Sequence, residues 1–181
     1  MRFSLLFLTL ILPLFSACAP AKKEAGKNAP LALFSVPAGA PTIVLDPGHG
    51  GTDHGARAKM PYCEEKRLSL QTARLIKQYL DQLGYHVVMT RTSDAYISLQ
   101  RRVEIAHQSG CDIFVSLHFN SSPNPIAHGI EIFFSEAHGK GMKGGYSKRL
   151  ATAILGRMVR QTMAHSRGVK KGNFYVIRET E

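Results

Sequence analysis

Three cysteines, Cys18, Cys63 and Cys111, are too few to frame a disulfide-stapled domain. No run approaches the roughly 20 consecutive apolar residues that a membrane-spanning helix needs. No internal repeat occurs, and no nucleic-acid-binding motif is present. The glycine-rich segment at residues 48–51 lacks the Lys-Ser/Thr ending of a P-loop and the spacing of a dinucleotide fingerprint, which argues against a phosphate cradle. Acidic residues are also scarce. Thirteen Asp and Glu face 23 Lys and Arg, a formal charge of +10. Such a balance suits either a solvated basic surface or an anionic partner: phospholipid, a teichoic-type polymer or a peptidoglycan stem carboxylate.

What is present begins with an export pattern. Met1 and Arg2 precede the apolar residues 3–15, interrupted by Pro13 and ending in Ser16-Ala17-Cys18. Residues 1–17 therefore predict a secretory signal of the lipoprotein type, with the Cys18 thiol lipidated as the mature N-terminus. Phe15 stands where a lipobox prefers an aliphatic residue, and ordinary cleavage after Ala19-Pro20-Ala21 is the competing reading. An exported chain of this kind would be periplasmic, anchored to a membrane through its lipid, and not a nucleic-acid binder. Residues 18–40 are rich in Ala, Pro, Lys and Gly and predict a flexible tether. Residues 41–181 suffice for one domain with its own core. Pairing of Cys63 with Cys111 in an oxidising compartment is left open.

Within that domain, strands are expected at residues 42–46, 85–91, 112–118, 129–134 and 174–177. Helices are expected at 65–83, at 98–107 with a cap at or near Ser98, and at 147–163. Gly84 and Gly110 supply stops for the first two helices. The alternation predicts an α/β fold: a single domain with a mostly parallel twisted sheet and helices on both faces. Such sheets bind ligands at the C-terminal ends of their strands. His49, in the glycine loop after the first strand, and His118, ending a later one, both lie there. Glu65 opens the first helix after a loop able to fold back beside His49. Two histidines and a carboxylate are what a catalytic zinc ion takes from a protein, with one position left for water. Spacing alone leaves the bland readings open, an exposed loop histidine and a glutamate favoured by its helix dipole.

The motifs are more specific together than singly. Residues 45–51 (Leu-Asp-Pro-Gly-His-Gly-Gly), 65–66 (Glu-Lys), 90–92 (Thr-Arg-Thr), 102–106 (Arg-Val-Glu-Ile-Ala), 116–120 (Ser-Leu-His-Phe-Asn) and 174–178 (Phe-Tyr-Val-Ile-Arg) occur in that order. In this arrangement the chain resembles the zinc-dependent N-acetylmuramoyl-L-alanine amidases of the cell-separation and sporulation type, from residue 43 to the end. The resemblance implies Zn2+ held by His49, Glu65 and His118. Glu65 is preferred to Glu64 because the family's ligand precedes a Lys-like position. It implies that Asn120 supports the site or contacts substrate, although a turn-forming Asn before Ser121 is an equal reading. It further implies hydrolysis of the amide between N-acetylmuramic acid and L-alanine in peptidoglycan, and leaves room for a protein activator.

Two departures from the family pattern matter. The family draws its proton-transferring glutamate from a strand beyond the 174–179 segment, so residues 41–181 are expected to lack the last strand and helix. No catalytic base is then assigned, Glu131 and Glu179 are the nearest candidates, and low activity is expected of these residues, read as a fragment of a longer protein in preference to an impaired enzyme. That gap supports an alternative, a non-catalytic peptidoglycan-binding lipoprotein. Second, residues 135–173 hold little more than a loop and a helix, so no self-blocking helix over the zinc is expected.

Overall fold

A computed structural model of the chain describes residues 6–11, 39–59, 62–124, 126–135 and 142–180. The tether and Cys18 lie outside the described residues, as does most of the segment read as a signal. Among the described residues no helix is long and apolar enough to cross a membrane.

The described residues form eight strands and four helices, in chain order β1 (Leu6–Ile11), β2 (Ile43–Pro47), β3 (Arg57–Lys59), β4 (Tyr62–Glu64), α1 (Glu65–Gln82), β5 (Val87–Met89), α2 (Leu99–Gln108), β6 (Ile113–His118), β7 (Gly129–Phe134), α3 (Met142–Thr162), β8 (Ser166–Lys171) and α4 (Tyr175–Arg178). Six form one sheet in the order β5-β2-β6-β1-β7-β8, and β3 and β4 make a separate hairpin. Within the sheet only the β1–β7 ladder is antiparallel. The fold is thus the mostly parallel α/β architecture that the sequence predicts.

Every residue of β2 is buried, as expected of a parallel strand covered on both faces. Alternate residues feed two cores. Ile43 and Leu45 pack with Leu117, Ala73 of α1 and Ala151 and Leu155 of α3. Val44 turns the other way, to Phe114, Ala106 of α2 and Val176 and Ile177 of α4. Each fully buried Leu, Ile or Phe contributes about 1.5–3 kcal/mol over its exposed state. Helix ends follow local chemistry: the Ser98 hydroxyl accepts from the Arg101 N–H at 3.2 Å to open α2. Gly84, at φ 89°, reverses the chain after α1 so that the Tyr85 N–H reaches the Leu80 carbonyl at 3.0 Å.

Two expectations need correction. Residues 174–177 are not a strand: 175–178 wind into α4, with the Arg178 N–H on the Phe174 carbonyl at 3.0 Å. Winding lets consecutive Val176 and Ile177 both enter one core, which a strand's alternation forbids. The strand of this region is instead β8, a basic segment whose lysines suit an outer sheet position. Helix α3 begins five residues before the expected start, running through Gly144 and Gly145 despite their poor propensity. The Cys63–Cys111 pairing that the sequence leaves open does not form: Cys63 sits in the β3–β4 hairpin, while Cys111 is buried with Ala106 and Phe114.

Part of the apolar run read as an export signal forms β1, parallel to β6 and antiparallel to β7. Its register sets Thr9 opposite both His118 and Glu131. If the segment is removed on export, this central position is vacated.

Candidate metal centre

The loop after β2 is held by two buried guanidiniums. Arg102 Nη1 donates to Asp46 Oδ1 at 2.6 Å and to the Pro47 carbonyl at 2.9 Å, and its Nη2 donates to the His49 carbonyl at 2.9 Å. Arg91 donates from Nε to the Pro47 carbonyl at 2.9 Å and from Nη2 to the Gly48 carbonyl at 2.8 Å. The turn's carbonyls, buried away from water, are thereby satisfied. Burial alone would raise the Asp46 carboxyl. The Arg102 charge and hydrogen bonds from Thr90 and Ser116 outweigh it and hold the group below the usual carboxylate range. Burial, with the Arg102 charge beside it, pushes Arg91 down to about 10.

Arg102→Met should therefore destabilise the domain by about 3–5 kcal/mol in urea unfolding, because it leaves Asp46 buried without its cation. Because the folded Asp46 pKa is depressed, its stabilisation is complete above the unfolded value of about 3.9 and fades as pH falls through the folded one. The wild-type advantage over Arg102→Met should shrink below about pH 4; an unchanged gap there would refute this account.

The same grip holds His49 at φ 62°, a left-handed conformation that a non-glycine residue adopts only under constraint. Its ring then projects over the strand ends. Nδ1 lies 2.9 Å from Asp53 Oδ2, a partner for an Nδ1 proton that would leave the Nε2 lone pair facing inward once a metal replaces the proton shared with Glu65. Gly48 is required by contact: a Cβ at that position would lie 2.3 Å from His118 Cε1. Gly55, at φ 64°, is equally constrained, since a Cβ would fall 2.6 Å from His49 Cδ2.

Glu65 enters from the first residue of α1, buried at 2% exposure. Its Oε2 accepts the Ala56 N–H and its Oε1 the Phe119 N–H, both at 2.8 Å. Oε1 also stands 3.2 Å from His49 Nε2 and 3.1 Å from His118 Nδ1, and the two nitrogens are 3.1 Å apart. The three atoms form a nearly equilateral triangle. Burial would raise the Glu65 carboxyl, but hydrogen bonds from His118, His49 and the Ala56 amide keep it far below the ordinary range, hence ionised. For His49, burial lowers the pKa, and the bonds and charges of Glu65 and Asp53 raise it above the usual value.

Glu64, the competing carboxylate, turns away to His54 at 2.7 Å and the Tyr62 hydroxyl at 2.6 Å. Glu179 pairs with Arg178 at 2.7 Å. Two openings flank the triangle. A cleft of about 410 Å³ is lined by Tyr96, Ile97, Leu99 and Tyr175, and a wider groove of about 680 Å³ by Asn120, Glu131, Arg167 and Phe174. Asn120 makes no hydrogen bond to another described residue. Glu131 is buried and accepts from Lys170 Nζ at 2.6 Å and Arg167 Nε at 3.2 Å.

Sequence reading overlooked Asp53 and gave Arg91 and Arg102 no role. An acidic residue four positions after a loop histidine was the available hint for Asp53. Nothing local announces that two arginines will grip one turn. Two imidazole nitrogens and an ionised carboxylate oxygen, converging beside open grooves, can hold a divalent cation and expose it to a ligand.

A sequence model of the family described as "N-acetylmuramoyl-L-alanine amidase" matches residues 43–181. The chain is 33% identical over 150 residues to "Probable cell wall amidase LytH" of Staphylococcus epidermidis, an alignment covering 82% of this chain and 47% of that protein. It thus spans about half that relative's length. Among solved structures it resembles an N-acetylmuramoyl-L-alanine amidase from Clostridium difficile 630, with TM-score 0.70, 38% identity, and coverage of 78% of this chain and 75% of that one. It also resembles the CwlD amidase of Clostridioides difficile, solved in complex with the GerS lipoprotein, with TM-score 0.70, 26% identity and 78% coverage of both chains.

Proposed function

The chain belongs to the N-acetylmuramoyl-L-alanine amidase family, and from that membership we propose that it is a zinc-dependent peptidoglycan hydrolase cleaving the amide between N-acetylmuramic acid and L-alanine. The observation that carries the proposal is the donor triangle of His49, Glu65 and His118. Its sides of 3.1–3.2 Å are slightly shorter than the edges of a tetrahedral ion's ligand set, so a bound ion would spread the donors by a few tenths of an ångström. Bond lengths of 2.0–2.2 Å imply donor separations of about 3.3–3.6 Å. The two-nitrogen, one-oxygen set is that of a hydrolytic zinc site, which such an ion equips with Lewis acidity toward a carbonyl and an acidified water.

The chain's own residues do the positioning. Asp53 orients His49, the Ala56 and Phe119 amides fix both oxygens of Glu65, and Arg91 and Arg102 hold the loop under the histidine. Asn120 is proposed to contact substrate from the wider groove.

The location follows the same reading. Residues 1–17 direct export, Cys18 carries a lipid, and the 18–40 tether lets the domain reach peptidoglycan from a periplasmic membrane surface. A protein activator fits too, since the structurally similar CwlD was solved with a lipoprotein bound.

The test uses zinc-loaded protein on purified peptidoglycan, counting newly exposed L-alanine amines over long incubations. Slow accumulation that a chelator stops is the expected result. New glycan reducing ends without new alanine amines would overturn the assigned bond. No cleavage, with peptidoglycan still bound, would favour the alternative of a non-catalytic binding lipoprotein. That alternative draws on one observation: the carboxylates lining the grooves are already held by partners.

A further inference from the structure

One guanidinium beside the cluster has donors that the fold does not use. Arg167, on β8, lines the wider groove together with Asn120, Glu131 and Phe174. Its Nε donates to Glu131 Oε2 at 3.2 Å, and its terminal nitrogens bond no other described residue. The side chain is 28% exposed and forms part of the groove wall. Glu131, itself buried, pins the guanidinium at one edge and leaves the planar fork of the terminal nitrogens for a ligand. A carboxylate matches that fork by two parallel hydrogen bonds.

The opposite cleft differs in kind. Tyr96, Ile97, Leu99 and Tyr175 give it aromatic and aliphatic walls, and its one cation, Arg102, is taken up by Asp46 and backbone carbonyls. The bond assigned above has the same asymmetry. It joins a saccharide whose body is hydroxyls and acetamide to a peptide bearing carboxylates.

Resting on the amidase reading, we infer that the stem peptide enters the Arg167 groove and that the Arg167 fork pairs with the α-carboxylate of its second residue, a γ-linked D-glutamate. The saccharide then lies in the aromatic cleft. Glu131 is a positioning residue that acts through Arg167. Chains whose second residue is amidated at that carboxyl would be the poorer ligands.

The experiment is calorimetric binding by the full zinc-loaded chain. The probes are N-acetylmuramoyl-L-alanyl-γ-D-glutamyl-L-lysine and its counterpart with isoglutamine in place of glutamate. Wild type is expected to prefer the carboxylate by about 10- to 100-fold, the scale of a charge-assisted pair. Arg167→Met should bring the ratio to near one at unchanged zinc content. It leaves Glu131 paired with Lys170, so no buried carboxylate is stranded. Arg167→Lys, a second variant that keeps the charge without the fork, should fall between the two. A preference that survives in Arg167→Met, or is missing in wild type, overturns the Arg167 assignment alone. Failure of zinc-loaded wild type to bind either probe overturns the amidase reading and this inference with it.

Discussion

Alanine at His118 is expected to strip the protein of stoichiometric metal. Wild type, purified in zinc and dialysed, should retain about one ion per chain. His118→Ala should bind it at least about 10²–10³-fold more weakly. Structural zinc sites in zinc-finger peptides bind with about 10–16 kcal/mol when all their ligands are present, and on that scale losing one donor of three costs several kcal/mol. His49→Ala and Glu65→Gln should behave alike, because the three donor atoms are equivalent corners of one triangle. Glu64→Gln supplies the control. Its carboxylate faces His54 and Tyr62, so zinc content should not change. Asp53→Ala should weaken zinc by about 10- to 100-fold by releasing the tautomer of His49. Equal zinc in wild type and both histidine variants would sink the assignment.

The contrast between Glu64 and Glu65 shows where sequence reading reaches its limit. Periodicity made α1 legible, and motif resemblance favoured Glu65. What turns one carboxylate inward and its neighbour outward is the start of the helix at Glu65, with the Glu65 N–H on the Ala56 carbonyl at 2.8 Å. The histidines were legible because each ends or follows an apolar strand. The β3–β4 hairpin was not, because three-residue strands carry too little pattern. Phe-Tyr-Val-Ile at 174–177 has strong strand propensity, yet tertiary burial of Val176 and Ile177 winds it into α4. The basic run of β8 reads as loop, and only pairing with β7 makes it a strand. Arg91 and Arg102 act across 44 and 53 residues of sequence, beyond any local signal.

Turnover by the zinc-loaded 181-residue protein is expected to run about 10²–10⁴-fold below that of the Clostridium difficile amidase it resembles, the range that general acid–base help contributes. A bound metal makes water acidic, but the leaving amine is poor and must be protonated as the bond breaks. A carboxyl with a pKa near neutrality, free to take and return a proton, is required. Among the described residues, the carboxylates lining the two grooves are Asp46, Asp53, Glu65 and Glu131. Asp46 is locked to Arg102, Asp53 to His49, and Glu65 belongs to the donor triangle. Glu131 is the remaining one, in the wider groove. Burial would raise its pKa, yet the bonds and charges of Lys170 and Arg167 outweigh that and hold it below the usual range, which makes it a weak base that is seldom protonated. Initial rates of alanine-amine release by the two proteins, on the same peptidoglycan at equal zinc occupancy, decide the matter. Rates within a few-fold of each other would show that a base already operates in these residues. Glu131→Gln and Glu179→Gln would then identify it, the first as a groove carboxylate and the second as one that reaches the site only by leaving Arg178.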